Sequence, residues 1–395
     1  MTSTAAMAAS DDARLEIVLM RHGVRSPTKP AATYADYATS AWPEWPVAPG
    51  QLTPHGREGM RAIGEQLHRR LAADGAMGKG CPTSSSLVVI GDSTPRNRDS
   101  SAALLAGLAP GCDIGYLATE GDTNNSLFHF RNDDNDDDGT AASAQPSVAL
   151  ADLQSALLDC AGSSCSDAAT RSGKRLLPAD TGKAMKLAGT LSENLMLAYA
   201  EGMPMDIVAF GRGDGALLGR LITLHNAQFE ATKKSMPAAA RAGSNLVAHI
   251  AATFDAELGK KPAIEPFMTS KPGVVLLVGH DTNLANVAGI LGLDWHDPGR
   301  PDDYPPGGAI VLSLVTHGGH DVIRIRSLMP DMDQLRTNRF DDMRALPVRV
   351  AGCHVVGECT VEEFRAIVER GVDTTRVDTT LPPMIQTGRA LPRRL

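Results

Sequence analysis

The sequence predicts an α/β protein: a mostly parallel sheet with helices on both faces, plus an inserted smaller α-helical domain. Three observations carry this. LEIVLM (15–20), LVVI (87–90) and VVLLV (274–278) are nearly unbroken apolar runs, as expected for parallel strands covered on both faces. Each is followed by a helical pattern, and repeated strand–loop–helix order builds parallel layers. From about residue 121 to 265 the strand signal fades and helical spacing takes over.

The elements follow in order. After the first strand, Thr53 is a helix N-cap with Pro54 at the first helical position, and Met60, Ile63, Leu67 and Leu71 make one stripe. SSAALLAGLAPG after the second strand and NLANVAGILGL after the third read as helices that end at glycine. AIVLSLV and DVIRIRSL, joined by THGGH, read as an antiparallel hairpin added to the sheet. In the middle, Ala188, Leu191, Leu195 and Tyr199 mark one helix and Leu217, Leu221 and Leu224 another. The expected division is an α/β domain over 12–120 and 266–395, interrupted by a helical domain over 121–265.

Composition excludes several classes. Hydrophobic content of 43% over 395 residues is ordinary for a globular chain and rules out whole-chain disorder. A net charge of −8 disfavours a general nucleic-acid binder, which needs a basic surface. No apolar run approaches the roughly 20 residues of a membrane span, so neither nucleic acid nor membrane is an expected partner. The six cysteines fall as Cys81 and Cys112, Cys160 and Cys165, and Cys353 and Cys359. Three local disulfides would imply an oxidising compartment; the alternative is scattered buried thiols. No CxxC or zinc spacing is present. The terminus MTSTAAMAASDD resembles a residual Ala-rich leader. Asp134, Asp136, Asp138 and Gly139 open like a calcium loop, but Gln145 stands where its Glu belongs, so the Asp133–Asp138 run reads as a solvated loop.

The chemistry concentrates where the strands end. Arg21-His22-Gly23-Val24-Arg25-Ser26-Pro27-Thr28 follows the first strand, at the edge where open α/β sheets bind ligands. Two guanidinium forks flanking a histidine make an anion cradle around a nucleophile, and their charge disfavours a protonated imidazole. The third strand delivers Gly279-His280-Asp281-Thr282-Asn283. There Asp281 can protonate a leaving oxygen, and His280 and the helix N-terminus can hold an anion. Metal-dependent HD hydrolases also use this dipeptide, but their further His and Asp partners are missing. After the second strand, Arg96 and Arg98 stand ready to close on a phosphate or to pair with Asp92 or Asp99. Together the three strand ends specify phosphoryl transfer without a metal.

RHGVRSPT and GHDTN, with LTPHG, GCP, AGLAPGCD, LHNAQF, GHDTNLAN, PPGG and AGC…C in that order, resemble the histidine acid phosphatase family across roughly residues 15–370. The likeness points to its bacterial periplasmic phytase and glucose-1-phosphatase branch. It implies the histidine phosphatase fold and a periplasmic or secreted enzyme, and the paired cysteines fit the disulfides of such relatives. On this resemblance His22 forms a phosphohistidine and Asp281 protonates the leaving alcohol and later helps activate water. Arg21, Arg25, Arg96 and His280 bind the transferring phosphate. Thr28, Lys29 and Met203 contact other substrate groups. No cofactor or metal is implied, and the expected partners are small phosphate esters, such as phytate and sugar phosphates, met by a monomer. The leading reading is a phytate-hydrolysing acid phosphomonoesterase. The alternative is a glucose-1-phosphatase with restricted action on phytate, to which EGMPMD and WPEW point. A phosphoglycerate-mutase-like phosphotransferase and a non-catalytic phosphate-ester binder are remote.

Overall fold

A computed structural model describes residues 13–78, 80–130, 147–178, 181–269 and 273–388. The leader-like terminus and the Asp133–Asp138 run lie outside these residues. In chain order the elements are β1 (Ala13–Arg21), α1 (Pro54–Ala73), β2 (Leu87–Gly91), α2 (Pro95–Leu108) and β3 (Tyr116–Ala118). The helical stretch follows: α3 (Ser147–Leu158), α4 (Ser164–Ser172), α5 (Thr181–Ala200), α6 (Gly215–Phe229) and α7 (Met236–Glu257). Then come β4 (Gly273–Gly279), α8 (Asp281–Leu291), β5 (Leu293–Asp294), β6 (Ala309–His317), β7 (His320–Leu328) and α9 (Met332–Thr337). The chain finishes with β8 (Ala345–Pro347), β9 (Arg349–Val350), β10 (Glu358–Thr360), α10 (Val361–Gly371) and β11 (Ile385–Thr387).

The main sheet runs β10-β7-β6-β1-β4-β2-β3-β11. Its centre, β1-β4-β2-β3, is parallel, and the β6–β7 hairpin joins it antiparallel alongside β1. The apolar runs are continuous because each strand feeds two cores. Leu15, Ile17, Leu19, Val275 and Leu277 face α7 and α8 through Leu246, Ile250, Leu284 and Val287. Val18, Met20, Leu276 and Val278 face α1 and α2 through Met60, Ile63, Leu67 and Leu104. Each of these side chains contributes about 2 kcal/mol by leaving water. Glu16 interrupts the first run at no exposure; Arg70 pairs with it at 2.7 Å and Ser313 Oγ donates to it, so no buried charge is left alone.

The α1 start behaves as its sequence requires. The Thr53 side chain accepts from Gly56 N at 2.8 Å, with Pro54 at the first position. Two packing features cut across the compositional division at 121 and 265. The post-β1 segment carrying Tyr34 and Trp42 packs with α3, α5 and α6 through Leu153, Leu157, Leu191, Leu195 and Leu221. Helix α7, inside that interval, covers the sheet beside α8. Disulfides link Cys81 to Cys112, Cys160 to Cys165 and Cys353 to Cys359. Among the described residues no helix is long and apolar enough to cross a membrane.

Candidate active site

Sheet register sets the site. Arg21 pairs with Gly279 and Gly91 with Val278, so β1, β4 and β2 end level and release their next residues at one edge. His22, Arg25, Asp92, Arg96, His280 and Asp281 leave from that edge, where helices α2 and α8 begin.

His22 is buried, and its Nδ1 lies 2.9 Å from the Gly23 carbonyl. A carbonyl only accepts, so Nδ1 carries the proton and the Nε2 lone pair is left for attack. Burial, and then the charges of Arg96, Arg21 and Arg25, hold its pKa well below that of free imidazole. The ring is therefore neutral, with Nε2 free of its own proton. Gly23 is required because a Cβ there would lie 2.7 Å from Met60 Cγ and 2.8 Å from the Gly56 carbonyl.

The cations around it are held by acids. Arg21 is fully buried; it pairs with Asp281 Oδ2 at 2.8 Å and with Glu193, and donates to the Tyr304 carbonyl. Arg25 Nη2 reaches Glu193 Oε1 at 3.1 Å and Oε2 at 3.2 Å. Burial would raise the Glu193 carboxyl, but Arg25 and Arg21 keep it ionised. Burial likewise opposes ionisation of Asp281, and Arg21 outweighs it, leaving Asp281 below the usual carboxylate range. His280 occupies the N-cap of α8 and Asp281 the first helical position.

Arg96 Nη2 lies 3.2 Å from His280 Nδ1, and burial with Arg25 nearby brings Arg96 down to about 10. Arg98 turns away, donating to the Ser93 and Thr119 carbonyls, while Asp99 pairs with Arg57 at 2.9 Å. Asp92, fully buried, accepts from His280 Nε2 at 2.8 Å. The rings of His22 and His280 meet edge-on, centroids 5.5 Å apart.

The remaining candidates are more peripheral. A Cβ on Gly50 would lie 3.9 Å from both Arg96 Nη1 and Thr28 Cα, so exposed Thr28 borders the cradle across that glycine. Lys29 lines a neighbouring cavity of about 270 Å³ with Tyr34, Trp42, Trp45 and Asn194. Met203 lines another, of about 550 Å³, with Pro43, Glu201 and Ile207. Glu193, His129, His225 and the Tyr304 carbonyl escaped the sequence reading. The available signal for Glu193 was a lone acid inside the buried stretch 191–200. Two donor groups gather at metal-like spacing, Asp92/His129/His280 and Glu193/His225/Asp281. Among these donors His280 is engaged by Asp92 and Arg96, and Glu193 and Asp281 by Arg21, while His225 Nδ1 is buried with no hydrogen-bond partner. An added cation would meet the same guanidinium charges.

Residues 15–175 match the family model of the histidine phosphatase superfamily (branch 2). Phytase AppA of Escherichia coli K12 is 31% identical over 93% of this chain and 94% of its own. The chain belongs to the histidine phosphatase superfamily. A glucose-1-phosphatase of Salmonella typhimurium LT2 is 26% identical over 89% of this chain and 91% of its own. The structure of Hafnia alvei phytase in complex with myo-inositol hexakis sulphate superposes with a TM-score of 0.78 at 29% identity, covering 94% of this chain and all of that one. This histidine phosphatase thus has the family fold, sits in the branch that holds phytases and glucose-1-phosphatases, and is a phosphoric monoester hydrolase.

Proposed function

We propose that the chain hydrolyses phytate and related phosphate monoesters through a phosphohistidine at His22. The carrying observation is the His22 hydrogen bond to the Gly23 carbonyl, which leaves the Nε2 lone pair among Arg21, Arg25, Arg96 and His280. In this reading the three guanidiniums take the transferring phosphoryl oxygens, stabilising charge that builds as Nε2 displaces the alcohol. Asp281 gives the leaving oxygen its proton. It is ionised while Arg21 leans on it; once Arg21 spends its charge on the phosphate, Glu193 and burial favour the protonated acid. Released to solvent, the alcohol makes room for water, which Asp281 helps activate for hydrolysis of the phosphohistidine.

Phytate is preferred as substrate because relatives of similar length are named phytases, one of them in complex with the hexasulfate analogue of phytate. Lys29 and Thr28 at the cradle rim suit further phosphates, with Met203 at its outer margin. Helices α3 to α6, inserted between β3 and β4, act as the cap, supported by the reach of Glu193 from α5 onto Arg21 and Arg25. The three disulfides favour a periplasmic or secreted enzyme, and the proposed reading is completed by monomeric action on small phosphate esters. Turnover of phytate, glucose 1-phosphate and p-nitrophenyl phosphate by wild type and His22→Ala tests the proposal, together with acid-labile, alkali-stable phosphate on the quenched protein. Phytate should be preferred, and His22→Ala should lose both turnover and label. Retained turnover would overturn the mechanism, and a strong preference for glucose 1-phosphate would reverse the substrate order.

A further inference from the structure

Asp92 is a carboxylate with one crowded oxygen. Its Oδ2 accepts from His280 Nε2 at 2.8 Å, from Thr94 N at 3.3 Å and from Asn97 Nδ2 at 3.4 Å, with His129 Nε2 also 3.4 Å away. Its Oδ1 is buried with no hydrogen-bond partner. Asn97 Nδ2 and His129 Nε2 each also lie 3.1 Å from His280 Nε2, but Asp92 at 2.8 Å is its shortest contact and carries the assignment of the proton. A carboxylate only accepts, so His280 Nε2 carries the hydrogen; a guanidinium only donates, so Nδ1, 3.2 Å from Arg96 Nη2, carries the lone pair.

That arrangement cannot serve a bound phosphoryl group. A phosphoryl oxygen brought to Nδ1 would meet lone pair against lone pair, and the Nε2 hydrogen is committed to Asp92. We propose that Asp92 is a positioning residue that enables His280 to take up one proton at Nδ1 when a phosphoryl group enters and draws Arg96 onto itself. The Arg96–Nδ1 hydrogen bond breaks, a proton from solvent bonds to Nδ1, and that N–H donates to the anion. Asp92 stays ionised throughout and balances the new imidazolium across Nε2.

The groups facing His280 agree with a ring that is neutral when empty and charged when occupied. From α2 comes the Arg96 cation, from the end of β2 the Asp92 carboxylate, from the turn after β1 neutral His22, and from the segment before residue 131 His129. Burial lowers the ring's proton affinity, Arg96 and His129 lower it further, and Asp92 opposes them. Anion entry removes the Arg96 donor and adds negative charge, so the balance tips. This inference rests on the assignment of His280 to the phosphate cradle.

Calorimetric binding of myo-inositol hexakissulfate tests it, because sulfate esters do not titrate in the working range. Titrations near pH 6 in buffers of different ionisation enthalpy give the protons taken up on binding. Asp92→Asn keeps an acceptor for Nε2–H and removes only the charge. Wild type should take up about one proton more than Asp92→Asn, and its affinity should rise as pH falls, by up to tenfold per unit, with a flatter profile in the variant. Equal uptake and parallel pH profiles would overturn the proposal, since a merely structural role would weaken binding alike at every pH. If Asp92→Asn does not fold, nitrogen NMR of wild-type histidines decides: His280 should pass from the neutral Nε2–H form to the doubly protonated form on binding. A ring that stays neutral in the complex refutes the proposal. Phosphohistidine formation, measured in parallel, separates this failure from failure of the phosphatase mechanism, which would abolish the label in wild type.

Discussion

Replacing Glu193 with Gln should destabilise the empty protein and tighten its grip on oxyanions. Glu193 is the shared counter-charge of Arg21, which has no exposure, and Arg25, which has 6%. Each guanidinium–carboxylate pair is worth about 4 kcal/mol at close range with an effective dielectric of 20. The desolvation of Glu193 offsets several kcal/mol of that, so removing the charge from a buried pair nets a loss of about 3 kcal/mol. The same carboxylate competes with any phosphate for the two forks. Freed from it, each fork gains about 1.5 kcal/mol of charge-assisted hydrogen bonding to an anion, so sulfate should bind at least tenfold tighter. Urea unfolding and calorimetric sulfate binding, run on wild type and Glu193→Gln, measure both effects. A variant as stable as wild type that binds sulfate more weakly would show that Glu193 builds the anion site rather than occupying it.

Three further outcomes follow from the geometry. Gly56→Ala would place a Cβ 2.0 Å from the Val24 carbonyl, pushing the His22 turn off α1; a shift of about 1 Å should cost about 100-fold in kcat toward p-nitrophenyl phosphate, with the circular dichroism unchanged. Burial lifts Asp302 to about 7, above its unfolded value, so the protonated acid favours folding fully below about pH 4, and that contribution is lost as pH rises through 7. Asp302→Asn should therefore flatten the decline of the urea midpoint between about pH 4 and 7 (a decline of unchanged steepness would sink this assignment). The Cys81–Cys112 bridge closes 31 residues and should stabilise by about 3–4 kcal/mol on chain entropy, against about 2 kcal/mol for the five-residue Cys160–Cys165 bridge. Serine pairs at each bridge, compared by thermal melting, should rank accordingly.

The parts legible in sequence were those where one short segment must satisfy one strong constraint. Strands β1, β2 and β4 had to be apolar on both faces, so their runs were unbroken, and the charged residues just past them had to lie at one edge. Glu193 was illegible for the opposite reason. It lies 172 residues from Arg21 and sits on a helix whose periodicity reports only its own packing. The Tyr304 carbonyl is a backbone acceptor and leaves no residue-type signal. Asp92 was in view beside Arg96, but an acid next to arginines reads as an ion-pair partner; only the fold turns it toward His280. The bounds of the helical part are of the same kind, since composition cannot tell a helix that covers a sheet, as α7 does, from one that packs only on helices.

The whole-chain charge of −8 is a poor guide to a substrate that carries many negative charges, and the site explains why. In the structure Arg21 and Arg25 lean on Glu193 and Asp281, and Arg96 leans on a neutral His280 that is backed by Asp92. The cradle's positive charge is thus largely neutralised internally, and buried guanidiniums are never left without an acceptor. An entering phosphate exchanges places with these carboxylates rather than meeting an open cationic surface. Affinity then depends on how readily Glu193, Asp281 and His280 give up their partners. On the proposed mechanism the same exchange would free Asp281 to hold a proton and leave the His22 Nε2 lone pair for phosphorus, so that binding the anion would prepare both the proposed acid and the proposed nucleophile.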